Sequence, residues 1–230
     1  MRKSMIWGGI FTLVAVVLAL PYIYFTVVYS TSGNIIEGNG QVPWGKLYFE
    51  GVKLALVVFS SCLIGFSWSK SLGLAGFGRV EDLKRNWQWI LVYGGFIGLM
   101  IYIFGDRYFI KLAPGFYPTQ LKFAIFIPIY AALVEETFAR FGVMTFLVKI
   151  FGSKQIANIL AALIFAIGHV NMFKVTGIIY RLNYVTFCSF ILNLCVSLFF
   201  GYVYWRKGLL TAMGIHFVAN LRYVLFALLR

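Results

Sequence analysis

Long apolar runs dominate this sequence and restrict what it can fold into. Runs of about 20 mostly apolar residues, enough to cross a bilayer as an α-helix, recur along the whole chain. Hydrophobic residues make up 61% of the 230 residues and charged residues only 12%, against about 25% in soluble domains. A soluble protein of this length could not bury so much apolar surface. The chain is therefore predicted to be an all-α, polytopic integral membrane protein.

The apolar runs predict a helical bundle of about seven transmembrane helices, with eight as the other count. Together they form one membrane domain over residues 1–230, with its motif-bearing core at 121–230. The turn-rich stretch 31–46 separates the first two runs, 71–86 is predicted to be a surface loop or short amphipathic helix, and 171–183 could lie along the membrane interface. The seven segments are 5–29, 47–69, 88–105, 121–150, 155–170, 184–205 and 208–229.

The charged residues indicate how the chain lies in a cell membrane. The net charge is +13, from 20 basic and 7 acidic residues, and most basic residues stand between the apolar runs. Lys and Arg at these places set orientation and contact lipid headgroups. Their distribution predicts a cytoplasmic N-terminus. No basic stripe with interleaved polar residues is present, so the bilayer, and not nucleic acid, is the expected partner of the positive charge.

Two adjacent carboxylates and both histidines of the chain lie inside apolar segments. Glu135 and Glu136 are adjacent in the fourth segment, and both histidines of the chain, His169 and His216, also lie in apolar runs. A charge in a membrane span is costly and is by default a functional-site hypothesis. The other five acidic residues lie in loops or near span ends; Asp106, for example, is expected in a solvated loop beside Arg107.

The spacing of these residues suggests their chemistry. Arg140 follows Glu136 by one helical turn and can pair with it. Glu135 points about 100° away around the helix and is free to act as a general base. His216 and Asn220, also one turn apart, could offer a ring nitrogen and an amide donor to an oxyanion. Spacing alone does not choose which carboxylate is the base.

The same residues resemble the motifs of the CAAX-protease and bacteriocin-processing family, also called the Abi family, of intramembrane glutamic endopeptidases. The family pattern is a Glu-Glu pair and an Arg separated by three residues, a Phe and a His separated by three residues, and a His and an Asn or Asp separated by three residues. The motifs occur here in the family's order on separate apolar segments of the C-terminal half. They read Glu135-Glu136 and Arg140, Phe165 and His169, and His216 and Asn220.

One motif departs from the family pattern. Family members often show Phe-Arg-Gly at the end of the first motif, whereas here Ala139 precedes Arg140, and Phe141 separates it from Gly142. This difference bears on local packing more than on the chemistry.

The resemblance, which extends to the type II CAAX prenyl endopeptidases, implies a protease that needs no metal or other cofactor. Its substrate would be a membrane-associated peptide or protein. By this resemblance, Glu135 and His169 activate a water. Glu136 and Arg140 position the site, and His216 and Asn220 hold the oxyanion.

Other readings stay open at this point. Glu135, His169 and His216 could together bind a zinc ion with one open position, although no His-Glu-x-x-His motif is present. A non-catalytic scaffold or regulator, including a bacteriocin self-immunity protein, would instead bind a partner membrane protein. A transporter could use the same residues as a proton relay, although the chain shows no internal repeat.

Overall fold

The computed structural model describes residues 2–32, 43–112, 117–118, 120–175 and 184–229. Helices are the only regular secondary structure in these residues, which confirms the all-α class for them. Most of the predicted turn 31–46 and most of the predicted interfacial segment 171–183 lie outside the described residues.

The described chain forms a series of α-helices joined by short turns, with three π-helical segments among them. In chain order the α-helices are α1 (Arg2–Ser32), α2 (Trp44–Trp68), α3 (Val80–Arg85), α4 (Trp87–Ile101), α5 (Arg107–Leu112), α6 (Leu121–Ala124), α7 (Phe126–Tyr130), α8 (Thr145–Phe151), α9 (Lys154–Val175), α10 (Tyr184–Lys207), α11 (Leu209–Asn220) and α12 (Arg222–Leu228). The π-helical segments are Tyr102–Asp106, Ala131–Glu135 and Thr137–Met144.

Within the described residues, five helical stretches are long and apolar enough to cross a membrane. The apolar part of α9, Lys154–Val170, is shorter, and the predicted segment 121–150 is interrupted. The count of seven or eight spans is therefore not confirmed, and the single domain and the cytoplasmic N-terminus stay predictions. The five stretches are Lys3–Val27, Trp44–Trp68, Trp87–Lys111, Thr186–Lys207 and Leu209–Leu228.

Large apolar side chains cover the outer faces of these helices. Leu13, Leu56 and Val92 expose 67%, 63% and 66% of their surface. Exposed apolar area on this scale is unfavourable in water and is what a lipid-facing surface requires. The outer faces and the several apolar helices together identify a multi-pass membrane protein.

The fourth apolar segment is not one regular helix. It turns at Ile125 between α6 and α7, just before Pro128, which cannot donate the helical hydrogen bond that an ordinary residue would donate. The π-helical segments Ala131–Glu135 and Thr137–Met144 then flank Glu136. A π-helix bonds each N–H five residues back instead of four, which widens the turn and is frequent at functional sites.

Asp106 corrects one expectation from the sequence, because it does not lie in a solvated loop. Only 4% of its surface is exposed, and it ends the π-helical segment Tyr102–Asp106, which continues α4 beyond the predicted end of the third span. Its carboxylate accepts hydrogen bonds from Arg222 and Tyr117. The charged stretch 71–86 does contain the predicted short helix, α3.

Glycines bring the site-bearing elements close to their neighbours. A Cβ atom on Gly142 would lie 2.5 Å from the Ser61 hydroxyl of α2, and one on Gly98 of α4 would lie 2.8 Å from the Ala219 carbonyl oxygen of α11. Small residues at such crossings are the usual means of close helix packing in membranes. These two contacts position the π-helical segment and the helix that carry the candidate residues.

We expect Gly98→Ala to destabilise the protein, because the new methyl group would displace the backbone of α11. Overpacking of this kind costs about 1–3 kcal/mol, which should appear as a lower unfolding temperature in detergent. Gly95 lies in the same helix with nothing within 4 Å of its Cβ position, so Gly95→Ala is the matched control. Equal unfolding temperatures for the two variants would contradict the close contact between α4 and α11.

Candidate active site

A cavity of about 780 Å³ opens between the helices and brings together residues from distant parts of the sequence. Its wall includes side chains from α1, α2, α7, α9, α10 and α11, most of them aliphatic or aromatic. Four of the candidate residues line it: Glu135, His169, His216 and Asn220. The other two, Glu136 and Arg140, are fully buried behind this wall, with 0% of either side chain exposed.

Glu136 and Arg140 form the ion pair that their spacing predicted. Arg140 Nε lies 3.2 Å from Glu136 Oε2, an ion pair whose geometry falls short of an aligned hydrogen bond. The guanidinium also donates from Nη1 to the Ser197 hydroxyl at 2.9 Å and lies against the rings of Phe165 and Phe200. The arginine therefore connects the π-helical segment to α9 and α10 through ionic, polar and cation–π contacts.

The second oxygen of Glu136 holds His216. The distance between Glu136 Oε1 and His216 Nδ1 is 2.9 Å, and the Phe200 ring stacks on the imidazole with centroids 4.7 Å apart. A carboxylate paired with arginine accepts hydrogen bonds only, so Nδ1 carries the proton that it donates. His216 Nε2 is left to face Glu135 Oε2, 3.9 Å away.

His169 is oriented in the same way by the backbone. Its Nδ1 lies 3.0 Å from the Phe165 carbonyl oxygen, one turn earlier in α9. A carbonyl oxygen can only accept, so Nδ1 is the donor and Nε2 carries the lone pair in the neutral ring. His169 Nε2 also lies 3.9 Å from Glu135 Oε2.

One carboxylate oxygen thus meets two imidazole nitrogens at the cavity wall. The two 3.9 Å separations are too long for direct hydrogen bonds and short enough for one water to bridge. The side chains of Glu135 and His169 are each 24% exposed, so a molecule in the cavity can reach them. This is the arrangement that a pair of bases acting on one water would need.

Glu135, His169 and His216 are also the residues that could bind zinc in the alternative hypothesis. Among the described residues no group of three or more His, Cys, Asp and Glu side chains could hold a metal ion as arranged. The 3.9 Å separations are wider than the about 3.4 Å that bonds of 2.0–2.1 Å would set in a tetrahedral zinc site.

Asn220 reaches the cavity from the last turn of α11, and its amide is held by a residue that the sequence analysis did not select. Arg222 donates from Nη1 to Asn220 Oδ1 and to the Ala219 carbonyl oxygen. Sequence reasoning missed Arg222 and its partner Asp106, which lie 116 positions apart. Two signals were available: an acidic residue near the end of a span, and Arg222 itself, a charge inside the predicted segment 208–229. Ser197, the partner of Arg140, carried no signal.

Comparison with known protein families gives a match in the C-terminal half of the chain. Residues 117–222 match the family model described as type II CAAX prenyl endopeptidase Rce1-like. No curated protein and no solved structure matches the chain. The matched range contains all the candidate residues of the cavity and of the buried ion pair. The resemblance drawn from the three motifs is therefore confirmed, and in residues 117–222 this multi-pass membrane protein is similar to the type II CAAX prenyl endopeptidases.

Proposed function

We propose that this protein is an intramembrane endopeptidase that hydrolyses a peptide bond of a membrane-associated peptide or protein. The observation that carries the proposal is the meeting of Glu135 Oε2 with the Nε2 atoms of His169 and His216, at 3.9 Å each, on the wall of a cavity. The match to a family of peptidases supports the same class of reaction.

Glu135 and His169 activate the attacking water in this proposal. A water between the Glu135 carboxylate and the His169 Nε2 gives one proton to these bases while its oxygen attacks the carbonyl carbon of the scissile peptide. General-base catalysis of this kind contributes about 10²–10⁴-fold to the rate. The tautomer of His169, set by the Phe165 carbonyl, leaves the correct nitrogen available.

His216 and Asn220 stabilise the tetrahedral intermediate. Its oxyanion needs hydrogen-bond donors, and the Asn220 amide is one. His216 Nε2, which faces Glu135 Oε2, becomes a donor once it receives the proton that the water gives to Glu135, and Glu136 holds the ring in place through Nδ1. The intermediate then collapses: the C–N bond breaks, and the proton taken from the water passes to the leaving amine.

Glu136 and Arg140 position this apparatus without touching the substrate. Both lie behind the cavity wall, and Glu136 connects the arginine to the imidazole of His216. The alternative reading, a membrane scaffold or regulator such as a self-immunity protein, would not need a carboxylate directed at two imidazoles. The Glu135→Gln experiment distinguishes such a scaffold from a peptidase.

We expect Glu135→Gln to abolish the appearance of new peptide termini in membranes at matched protein levels. The amide keeps the shape of the carboxylate but cannot take a proton from water, so turnover should fall by about 10²-fold or more. Glu81→Gln, in exposed α3 and away from the cavity, is the control and should behave as wild type. Identical termini in wild-type and Glu135→Gln membranes would favour the scaffold.

Arg140→Ala should lower both stability and turnover. It leaves the Glu136 carboxylate buried without its cation, a change that costs about 3–5 kcal/mol. In the double variant Glu136→Gln/Arg140→Met both charges are gone, so we expect the unfolding temperature in detergent to recover while turnover stays low. A well-folded Arg140→Ala protein with normal turnover would show that the pair positions nothing.

Turnover should persist after exhaustive treatment with chelators, because the proposed mechanism uses side chains and water only. The measurement is cleavage of an identified substrate before and after chelation, followed by addition of Zn²⁺. Loss of activity that Zn²⁺ restores would replace this mechanism by a metal-assisted one at Glu135, His169 and His216.

A further inference from the structure

A second buried ion pair lies beside the proposed site and is not used by the mechanism described above. Arg222 Nε donates to Asp106 Oδ2 at 2.6 Å, with 13% of the arginine side chain and 5% of the aspartate side chain exposed. Both residues line the same cavity as Asn220. Removing two charges from water is expensive, so a buried pair at this place calls for an explanation.

We propose that Arg222, held by Asp106, is a positioning residue that orients the Asn220 amide with its NH₂ group toward the cavity. The inference deepens the proposed function and rests on it, since it assigns how the oxyanion donor is kept in place. Arg222 does not touch the reacting atoms in this account; it acts through Asn220.

The guanidinium determines which end of the amide faces which way. Arginine has donors and no acceptor, so the Asn220 atom that it contacts through Nη1 is the oxygen. The NH₂ group is then the other end of the planar amide, and Asn220 makes no other side-chain hydrogen bond within the described residues. An amide turned by 180° would present its oxygen to the oxyanion and repel it.

The geometry of Arg222 is fixed from three directions. Nε binds Asp106, while Nη1 binds both the Ala219 carbonyl oxygen, at 3.0 Å, and the amide of Asn220. The planar guanidinium can make these contacts together, whereas the ammonium of lysine is a point charge on a flexible chain. The several nitrogens of the guanidinium, and not its charge alone, are therefore needed to orient the Asn220 amide.

Asp106 is itself held by a second donor. Its Oδ1 accepts a hydrogen bond from the Tyr117 hydroxyl at 2.8 Å. Burial raises the pKa of the Tyr117 phenol above its usual value, so the hydroxyl keeps its proton and remains a donor. The chain from Tyr117 through Asp106 and Arg222 to Asn220 thus joins the end of the π-helical segment Tyr102–Asp106 to the junction of α11 and α12.

The variant that isolates this role is Arg222→Lys, because lysine can still neutralise Asp106. We expect an unfolding temperature in detergent close to that of wild type, turnover lowered by about tenfold or more, and KM within about twofold, because the lost donor acts on the oxyanion and not on the bound substrate. The matched control is Arg85→Met, which removes a partner from the exposed Asp82–Arg85 pair. Neither residue of that pair lines the cavity, so turnover should stay unchanged.

Coupling between positions 222 and 220 distinguishes positioning from a general effect on the fold. In an Asn220→Ala background, Arg222→Lys should cost less than about twofold in turnover, because the group that it orients is already absent. A tenfold loss in that background would overturn the proposal. If Arg222→Lys fails to fold, the doubly neutral variant Asp106→Asn/Arg222→Met replaces it, since the amide introduced at position 106 keeps an acceptor for Tyr117.

A readout without turnover separates this inference from the proposed function. Protein labelled with ¹⁵N-asparagine should give a side-chain NH₂ signal for Asn220, assigned by Asn220→Asp, that shifts in Arg222→Lys and not in Arg85→Met. If the signal shifts and wild type cleaves nothing, the orientation of the amide by Arg222 stands and the peptidase proposal fails. If wild type cleaves its substrate and Arg222→Lys leaves either the signal or turnover unchanged, the positioning role is overturned while the peptidase stands.

Discussion

The buried contact between Glu136 and Arg140 is the interaction on which the rest of the site depends. Neither side chain is exposed to solvent, and an unpaired charge at either position would cost several kcal/mol. The pair also makes hydrogen bonds to other elements, from the arginine to Ser197 on α10 and between the carboxylate and His216 on α11. Because buried charges must be paired, the π-helical segment, α10 and α11 are joined by polar contacts at the proposed active site.

The irregular backbone of the fourth apolar segment separates two adjacent carboxylates into different environments. Glu136 lies between two π-helical segments and is wholly enclosed, whereas Glu135 reaches the cavity and is 24% exposed. One carboxylate is therefore enclosed and holds an imidazole, while its neighbour is open to the cavity. α2 packs closely on this irregular helix, where Gly142 lies against Ser61.

Two polar networks reach the cavity. One runs from Arg140 through Glu136 to His216, and the other from Asp106 through Arg222 to Asn220. In both, a buried ion pair ends on a side chain that faces the cavity. In the proposed reaction the Asn220 amide is already oriented toward the developing oxyanion, whereas His216 Nε2 donates only once it has received a proton.

The sequence by itself determined the membrane class, the positions of the apolar segments, and the residues that the family's motifs share. These are local properties, since hydrophobicity and one-turn spacings such as that of Glu136 and Arg140 act over a few residues. It could not determine that α9 and α11 direct two imidazoles at Glu135, that the fourth segment becomes π-helical, or that Asp106 turns inward to meet Arg222. Those features arise from packing between residues up to 116 positions apart, where close helix crossings and the need to pair buried charges select one arrangement.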